Sequence, residues 1–156
     1  MTPYLDAGGL SDRLVLEDSQ SGFAGVISDV WTIEPDGSFI IERRLDGKPI
    51  APARTGTLTL EDVEGLAAAM VAEDFRSFPE EAGTGDKINA RSVTLTFGDQ
   101  TSVLWLPAGR DMRQVGCAAP RSGLSGAAAV AAAIVDTLGT LDKAAPVSGG
   151  RECEQP

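Results

Sequence analysis

The distribution of apolar residues in two neighbouring stretches, together with the turn between them, predicts a β-hairpin. Residues 26–33 and 38–45 are rich in β-branched and aromatic side chains, and Glu34-Pro35-Asp36-Gly37 lies between them. Proline presets the backbone for a turn and glycine tolerates a positive φ, so this segment favours a tight connection. In the first arm each face mixes apolar with polar residues, since Asp29 shares a face with Trp31. The composition of the two arms and the turn therefore predict the hairpin, but the apolar pattern leaves open which face meets the core.

Two further stretches have strand-like patterns. Residues 92–97 and 101–106 alternate around a short glycine-containing connection, which predicts a second hairpin. A shorter β-rich run extends from Arg13 to Glu17, and the cluster Asp18-Ser19-Gln20-Ser21-Gly22 follows it. Side chains in this cluster favour turns because they bond to their own backbone. We therefore expect the first strand to end at Glu17.

Helical periodicity is present in two segments, near 60–75 and near 126–138. Thr59 can cap the first helix, and an apolar stripe follows at helical spacing: Val63, Leu66, Ala67, Met70, Val71 and Phe75. Ser125 is expected to cap the second helix, whose apolar positions are Ala127, Val130, Ala131, Ile134, Leu138 and Leu141. The residues between Pro107 and Leu124 are expected to form a long loop.

This order of elements predicts an α+β fold: a single antiparallel sheet of two or more hairpins, with two helices packed on one face. The chain has 156 residues, which suits one domain with a substantial core. We expect that domain to span residues 11–143. Residues 1–10 and 144–156 lack periodicity and are expected to be a flexible N-terminus and a flexible C-terminal tail.

Charge and composition exclude several classes of function. The net charge is −10, and the chain contains no histidine. An acidic surface repels phosphate backbones and anionic lipid headgroups, so neither nucleic acid nor a membrane surface is predicted as a partner. No apolar run is long enough for a transmembrane segment. The absence of histidine removes the commonest general base and the commonest metal ligand.

Cysteine content and the start of the chain bear on the compartment. Cys117 and Cys153 have neither metal-site spacing nor the density of a disulfide scaffold. Free thiols are the favoured interpretation, with a disulfide between a loop and the tail as the alternative. If Met1 is the native start, a cytoplasmic location is expected, because the first residues do not form a secretory leader.

Candidate catalytic motifs are weak throughout the chain. No Ser-x-x-Lys pair is present, and Cys117 has no imidazole to activate it. The segment Gly123-Leu124-Ser125-Gly126 differs from a nucleophile elbow, and Gly83-Thr84-Gly85-Asp86-Lys87 lacks the spacing of a phosphate-binding loop. The sequence therefore predicts no enzymatic activity, no catalytic residue, no metal and no cofactor.

Two segments are candidate sites for a protein partner. Acidic residues are concentrated between Glu61 and Asp86, where eight stand against one basic residue. The residues Glu61, Asp62 and Glu64 can attract a basic partner, whereas the simpler interpretation is a solvated helix face. The loop Ser21-Gly22-Phe23-Ala24-Gly25 places an aromatic ring between glycines, as an anchor for a partner cleft or as a ring folded over the sheet edge.

The arrangement of several motifs resembles the small bacterial emfourin-like domains, which are relatives of a protealysin inhibitor. The resemblance covers about 13–106 and rests on Leu14-Val15-Leu16, the loop Ser21-Gly22-Phe23-Ala24-Gly25, an acidic helix ending at Asp74-Phe75, and Phe78-Pro79. It implies a compact sheet with helices that blocks the cleft of a thermolysin-type metallopeptidase. The chain departs from that pattern in the Trp31 to Leu45 hairpin and in the Pro107 to Leu124 loop.

Together these patterns predict a non-enzymatic protein-interaction domain, with inhibition of a thermolysin-type metallopeptidase as its most specific form. Two alternatives from other classes stay open. The first is a small-molecule or lipid-binding domain of the cell envelope, which would need a closed apolar cavity. The second is a catalytic domain based on Asp and Lys, which would need a buried carboxylate pair in a cleft.

Overall fold

The structure, a computed structural model, describes residues 4–6, 8–22, 25–83, 90–107, 112–117 and 123–142. Over these ranges the chain folds as a mixed α+β protein with one large sheet and three α-helices. The strands are β1 (Leu5–Asp6), β2 (Gly9–Leu10), β3 (Leu14–Gly22), β4 (Gly25–Ile33), β5 (Ser38–Leu45), β6 (Lys48–Pro49), β7 (Arg54–Thr57), β8 (Glu81–Ala82), β9 (Arg91–Phe97) and β10 (Gln100–Trp105). The helices are α1 (Leu60–Ala72), α2 (Met112–Gly116) and α3 (Gly123–Leu138).

The large sheet has the strand order β6-β5-β4-β3-β9-β10-β8, and β7 pairs with β5 beside β6. Both predicted hairpins, β4 with β5 and β9 with β10, lie in this sheet, and β3 lies between them. The sheet is not purely antiparallel as predicted, because β8 pairs in parallel with β10. A separate two-stranded sheet joins β1 and β2.

Strand β3 extends to Gly22 instead of ending at Glu17, which corrects the sequence prediction. It pairs with β4 over its whole length and with β9 from Leu14 to Gln20. Pairing on both sides satisfies the backbone groups that the local turn would otherwise satisfy. The turn-favouring cluster from Asp18 to Gly22 therefore lies within a central strand.

One face of the sheet forms the core. Leu14, Leu16, Trp31, Ile33, Ile41, Val93, Leu95 and Leu104 lie on this face and are almost completely buried, in one cluster with apolar side chains of α1 and α3. The ambiguity in the first arm is thus resolved in favour of the Trp31 face. The segment expected to be a flexible N-terminus contributes Tyr4 and Leu10 to the same core.

Both predicted helices are present with shifted limits. Helix α1 ends at Ala72, and Phe75 begins a short 3-10 helix that ends at Ser77. The stripe is buried except at Val71, which is 47% exposed. Ser125 lies inside α3 and is buried, so it is not the N-cap that the sequence predicts. The segment between Pro107 and Leu124, expected to be a loop, contains helix α2, which packs against α3.

Among the described residues, no helix is long and apolar enough to cross a membrane. The predicted C-terminal tail, residues 144–156, lies outside the described residues.

Candidate functional site

The strongest candidate site is the end of the β3–β4 hairpin, which we call the hairpin tip and define as Ser21, Gly22, Gly25, Val26 and Ile27. Gly22 pairs with Gly25 at the end of the ladder, and Ser21 pairs with Val26. Phe23 and Ala24, the two remaining residues of the predicted loop, lie outside the described residues. Two glycines thus close the hairpin on either side of the aromatic residue that the sequence singles out.

Exposed apolar side chains concentrate at this end of the sheet. Val26 is 39% exposed and Ile27 is 44% exposed. Ile50 is 50% exposed. It lies at the same end of the sheet, because its N–H donates to the carbonyl of Arg43, and Arg43 is two residues before Leu45, which pairs with Ile27. Apolar area that a domain leaves in water at the end of a sheet is typical of an anchor for a partner protein.

A row of charged side chains lies between the core and the hairpin tip. Asp18 and Asp29 are directly opposite each other on β3 and β4, an arrangement that is unfavourable unless both charges are compensated. Arg91 donates to both oxygens of Asp18 at 3.0 and 2.8 Å, and Arg43 donates to both oxygens of Asp29 at 2.8 and 3.2 Å. Each aspartate therefore forms a bidentate ion pair with its own arginine.

The environment of Arg43 strengthens this row. Its hydrogen bonds with Asp29 raise the pKa of Arg43 above its ordinary value, and Asp142 adds a further bond at 3.2 Å. Both carboxylates thus have a guanidinium group as their ion-pair partner, although they stand opposite each other in the ladder. The row also ends the apolar core, which leaves Ile27 on its far side, exposed to water.

The acidic residues predicted to bind a partner lie away from the hairpin tip. The N–H of Leu58 donates to the carbonyl of Gly37 in the β4–β5 turn, and α1 begins two residues later. The hairpin tip is at the other end of β4, and eight steps along a strand span about 26 Å. The two candidate segments, the acidic residues Glu61, Asp62 and Glu64 and the hairpin tip, therefore lie at opposite ends of β4.

The three acidic residues also differ in what they do. Asp62 forms a capping box with Thr59: the Asp62 N–H donates to Thr59 Oγ1 at 3.1 Å, and the Thr59 N–H donates to Asp62 Oδ2 at 3.3 Å. Asp62 therefore stabilises the start of α1. Glu61 and Glu64 are exposed and can contribute to long-range electrostatic attraction.

The end of α3 depends on two residues that sequence reasoning did not single out. Trp31 Nε1 donates to the carbonyl of Gly139 at 2.8 Å, and Arg54 donates to the carbonyls of Thr140 and Leu138. These donors satisfy carbonyl groups that a helix leaves unpaired at its C-terminus. The separations in sequence are large, so no local motif could indicate these contacts.

Two open grooves lie on the sheet face that does not form the core. One has a volume of about 730 Å³ and is lined partly by Val15, Glu34 and Thr96. The other, of about 340 Å³, is lined partly by Thr32, Ile40 and Thr55. Both are open to solvent, so neither is the closed cavity that the small-molecule or lipid-binding alternative requires.

Other candidate chemistry gains no support from the described residues. Within the described ranges, no group of three acidic or cysteine side chains is arranged to hold a metal ion. Every buried side-chain nitrogen or oxygen described has a hydrogen-bond partner. Cys117 is disulfide-bonded, which corrects the expectation of a free thiol, since spacing in sequence does not report distance in space. The other cysteine, Cys153, lies outside the described residues.

Comparison with known proteins adds no family to this description: neither a scan against models of protein families nor a search of curated proteins finds a match. The fold and the site therefore define the chain only as an α+β protein with an apolar hairpin tip. Its resemblance to emfourin-like domains stays a prediction.

Proposed function

We propose that this chain is a non-enzymatic protein-interaction domain that docks on its partner through the hairpin tip. The observation that carries the proposal is the concentration of exposed apolar side chains, Val26, Ile27 and Ile50, at the end of the sheet where the glycines close the hairpin. Interface energies are dominated by a few apolar or aromatic anchors near the centre of a contact. Phe23 is the aromatic anchor proposed here.

The most specific form of the proposal is inhibition of a thermolysin-type metallopeptidase. A narrow hairpin end can enter a cleft that a flat surface would not reach. The emfourin-like resemblance supports the same class of partner, because the motif Ser21-Gly22-Phe23-Ala24-Gly25 on which it rests includes this hairpin end. Binding would then occlude the cleft, so inhibition needs no reactive group on this chain.

Substitution of the anchor tests the proposal. We expect Phe23→Ala and Ile27→Ala each to weaken inhibition of purified thermolysin by about tenfold or more, as loss of a central anchor does. The matched control is Leu60→Ala, because Leu60 is 59% exposed but lies on α1 near the other end of the sheet. The measurement is the inhibition constant against a peptide substrate, with the thermal midpoint recorded for each variant.

Three results would contradict the proposal. An unchanged inhibition constant in both tip variants would place the contact elsewhere, first in the segment between Pro107 and Leu124. A large drop in the thermal midpoint of Phe23→Ala with inhibition retained would make Phe23 a core residue. A wild-type chain without effect on thermolysin would remove the inhibitory form of the proposal.

A further inference from the structure

Asp46 contacts the hairpin tip from the neighbouring β5–β6 turn. Its Oδ1 accepts the N–H of Val26 at 2.9 Å, and its own N–H donates to the carbonyl of Val26 at 2.8 Å. These bonds lie one residue beyond the last pair of the β4–β5 ladder, Ile27 with Leu45. They therefore connect the tip to the rest of the sheet where the ordinary strand pairing has ended.

The backbone at Asp46 is suited to this contact. Asp46 and Gly47 both have positive φ, +50° and +83°, as the favoured two-residue hairpin turn requires. Aspartate tolerates the left-handed region better than most residues do. The turn thus places a carboxylate beside the start of β4 at small conformational cost.

Gly25 is matched to the carboxylate. A Cβ atom at Gly25 would lie 2.5 Å from Oδ2 and 2.7 Å from Oδ1 of Asp46, and Gly25 has a φ of +116°. The facing residue, Gly22, has nothing within 4 Å of the same position. The two glycines therefore differ: a side chain at Gly25 would collide with the Asp46 carboxylate, whereas one at Gly22 would meet no described residue.

We propose that Asp46 is a positioning residue, which holds the hairpin tip in the conformation that binds the partner. The inference rests on the proposed function and identifies how that site is kept in place. On the β3 side of the tip the Ser21 N–H donates to the carbonyl of Ala90, and on the β4 side Asp46 supplies the bond that lies beyond the last β4–β5 pair. A hydrogen bond that orders the hairpin tip before binding reduces the conformational entropy that the tip loses when the complex forms. Asp46 therefore increases affinity without contacting the partner.

Three substitutions separate the carboxylate from the turn. Asp46→Gly removes the acceptor but permits the positive φ, and Asp46→Asn keeps both a side-chain oxygen and tolerance of that φ. Asp36→Gly is the matched control, because Asp36 Oδ1 accepts the N–H of Ser38 at 2.9 Å in the turn at the other end of β4. Both glycine variants thus remove one aspartate that accepts a backbone N–H in a turn.

Two measurements are made on each variant of the full chain. The first is the hydrogen-exchange rate of the Val26 amide, which needs no partner. The second is the inhibition constant against purified thermolysin. We expect Asp46→Gly to raise the exchange rate and weaken inhibition by about tenfold each, the effect of losing one charge-assisted hydrogen bond. Asp46→Asn keeps the acceptor without its charge and should give values between those of Asp46→Gly and the wild type, and Asp36→Gly should change neither.

Each outcome bears on the proposal. Faster exchange in Asp46→Gly with unchanged inhibition would overturn the proposal, because the bond from Val26 to Asp46 would then have no effect on binding. Unchanged exchange would overturn it directly, because the tip would not depend on the carboxylate. If the wild-type chain does not inhibit thermolysin, the proposed function fails in its inhibitory form, and the exchange rates still decide whether Asp46 holds the tip.

Discussion

Individual side chains on α1 show how burial divides structural residues from surface residues. Leu66 and Met70 are at most 2% exposed, and both belong to the cluster that includes the buried face of the sheet. Val71 belongs to the same predicted stripe but is 47% exposed. The stripe is therefore narrower than the sequence indicates, because a helix packed on a sheet buries only the side chains that point at it.

Truncation of these two residues should have very different effects. We expect Leu66→Ala to lower the free energy of unfolding by about 2–5 kcal/mol, from lost burial and the cavity left behind. Val71→Ala should change it by less than about 0.5 kcal/mol, since the side chain already contacts water. Chemical denaturation monitored by circular dichroism measures both. A loss below about 1 kcal/mol for Leu66→Ala would contradict the burial described for it.

At the scale of elements, the β3–β4 hairpin has two glycines with different roles. Gly25 is required by its positive φ and by the proximity of Asp46, whereas Gly22 faces open space. Asp46 therefore crowds the β4 side of the hairpin end, whereas on the β3 side the Ser21 N–H donates to the carbonyl of Ala90 and no described residue crowds Gly22. No property of the sequence distinguishes the two positions, because both are glycines next to the same loop.

Alanine substitution at each glycine tests this difference. We expect Gly25→Ala to destabilise the chain by more than about 1 kcal/mol, because alanine fits poorly where φ is positive and its Cβ would meet the carboxylate. Gly22→Ala should have an effect within about 0.5 kcal/mol. Thermal unfolding of the two variants under identical conditions gives the comparison, and equal midpoints would show that Asp46 does not crowd Gly25.

At the scale of the whole molecule, the acidic start of α1 and the hairpin tip lie at opposite ends of β4. The acidic N-terminal turn of α1 lies by the β4–β5 turn, and β4, which separates that turn from the hairpin tip, is about 26 Å long. That distance exceeds the screening length of about 8 Å at physiological ionic strength. The acidic residues can therefore affect a partner bound at the tip only through long-range attraction at low salt.

Neutralisation of the two exposed acidic residues measures that effect. We expect the double variant Glu61→Gln, Glu64→Gln to slow association with thermolysin at about 0.01 M salt and to leave the rate unchanged at about 0.15 M. Asp62 is left intact because it caps α1. Stopped-flow association rates at the two salt concentrations provide the test. An equal effect at both would indicate direct contact, and no effect at either would exclude a role in association.

The sequence by itself determined the elements with strong periodicity. Runs of β-branched and aromatic residues predicted the strands later seen as β4 and β5, and alternation predicted β9 and β10. The 3.6-residue stripe predicted α1 and most of α3. Glycine and proline located the β4–β5 turn. These features are local, because side-chain spacing and turn chemistry act over a few neighbouring residues.

Only the tertiary structure decided the features that depend on distant residues. Pairing with β4 and β9 made a strand of the turn-favouring cluster from Asp18 to Gly22. Arg43, fourteen residues along the chain from Asp29, allowed that charge to share a face with the core residue Trp31. The topology also placed the acidic turn of α1 and the hairpin tip at opposite ends of β4. Each outcome rests on contacts between residues far apart in sequence, and these form only when the chain has folded.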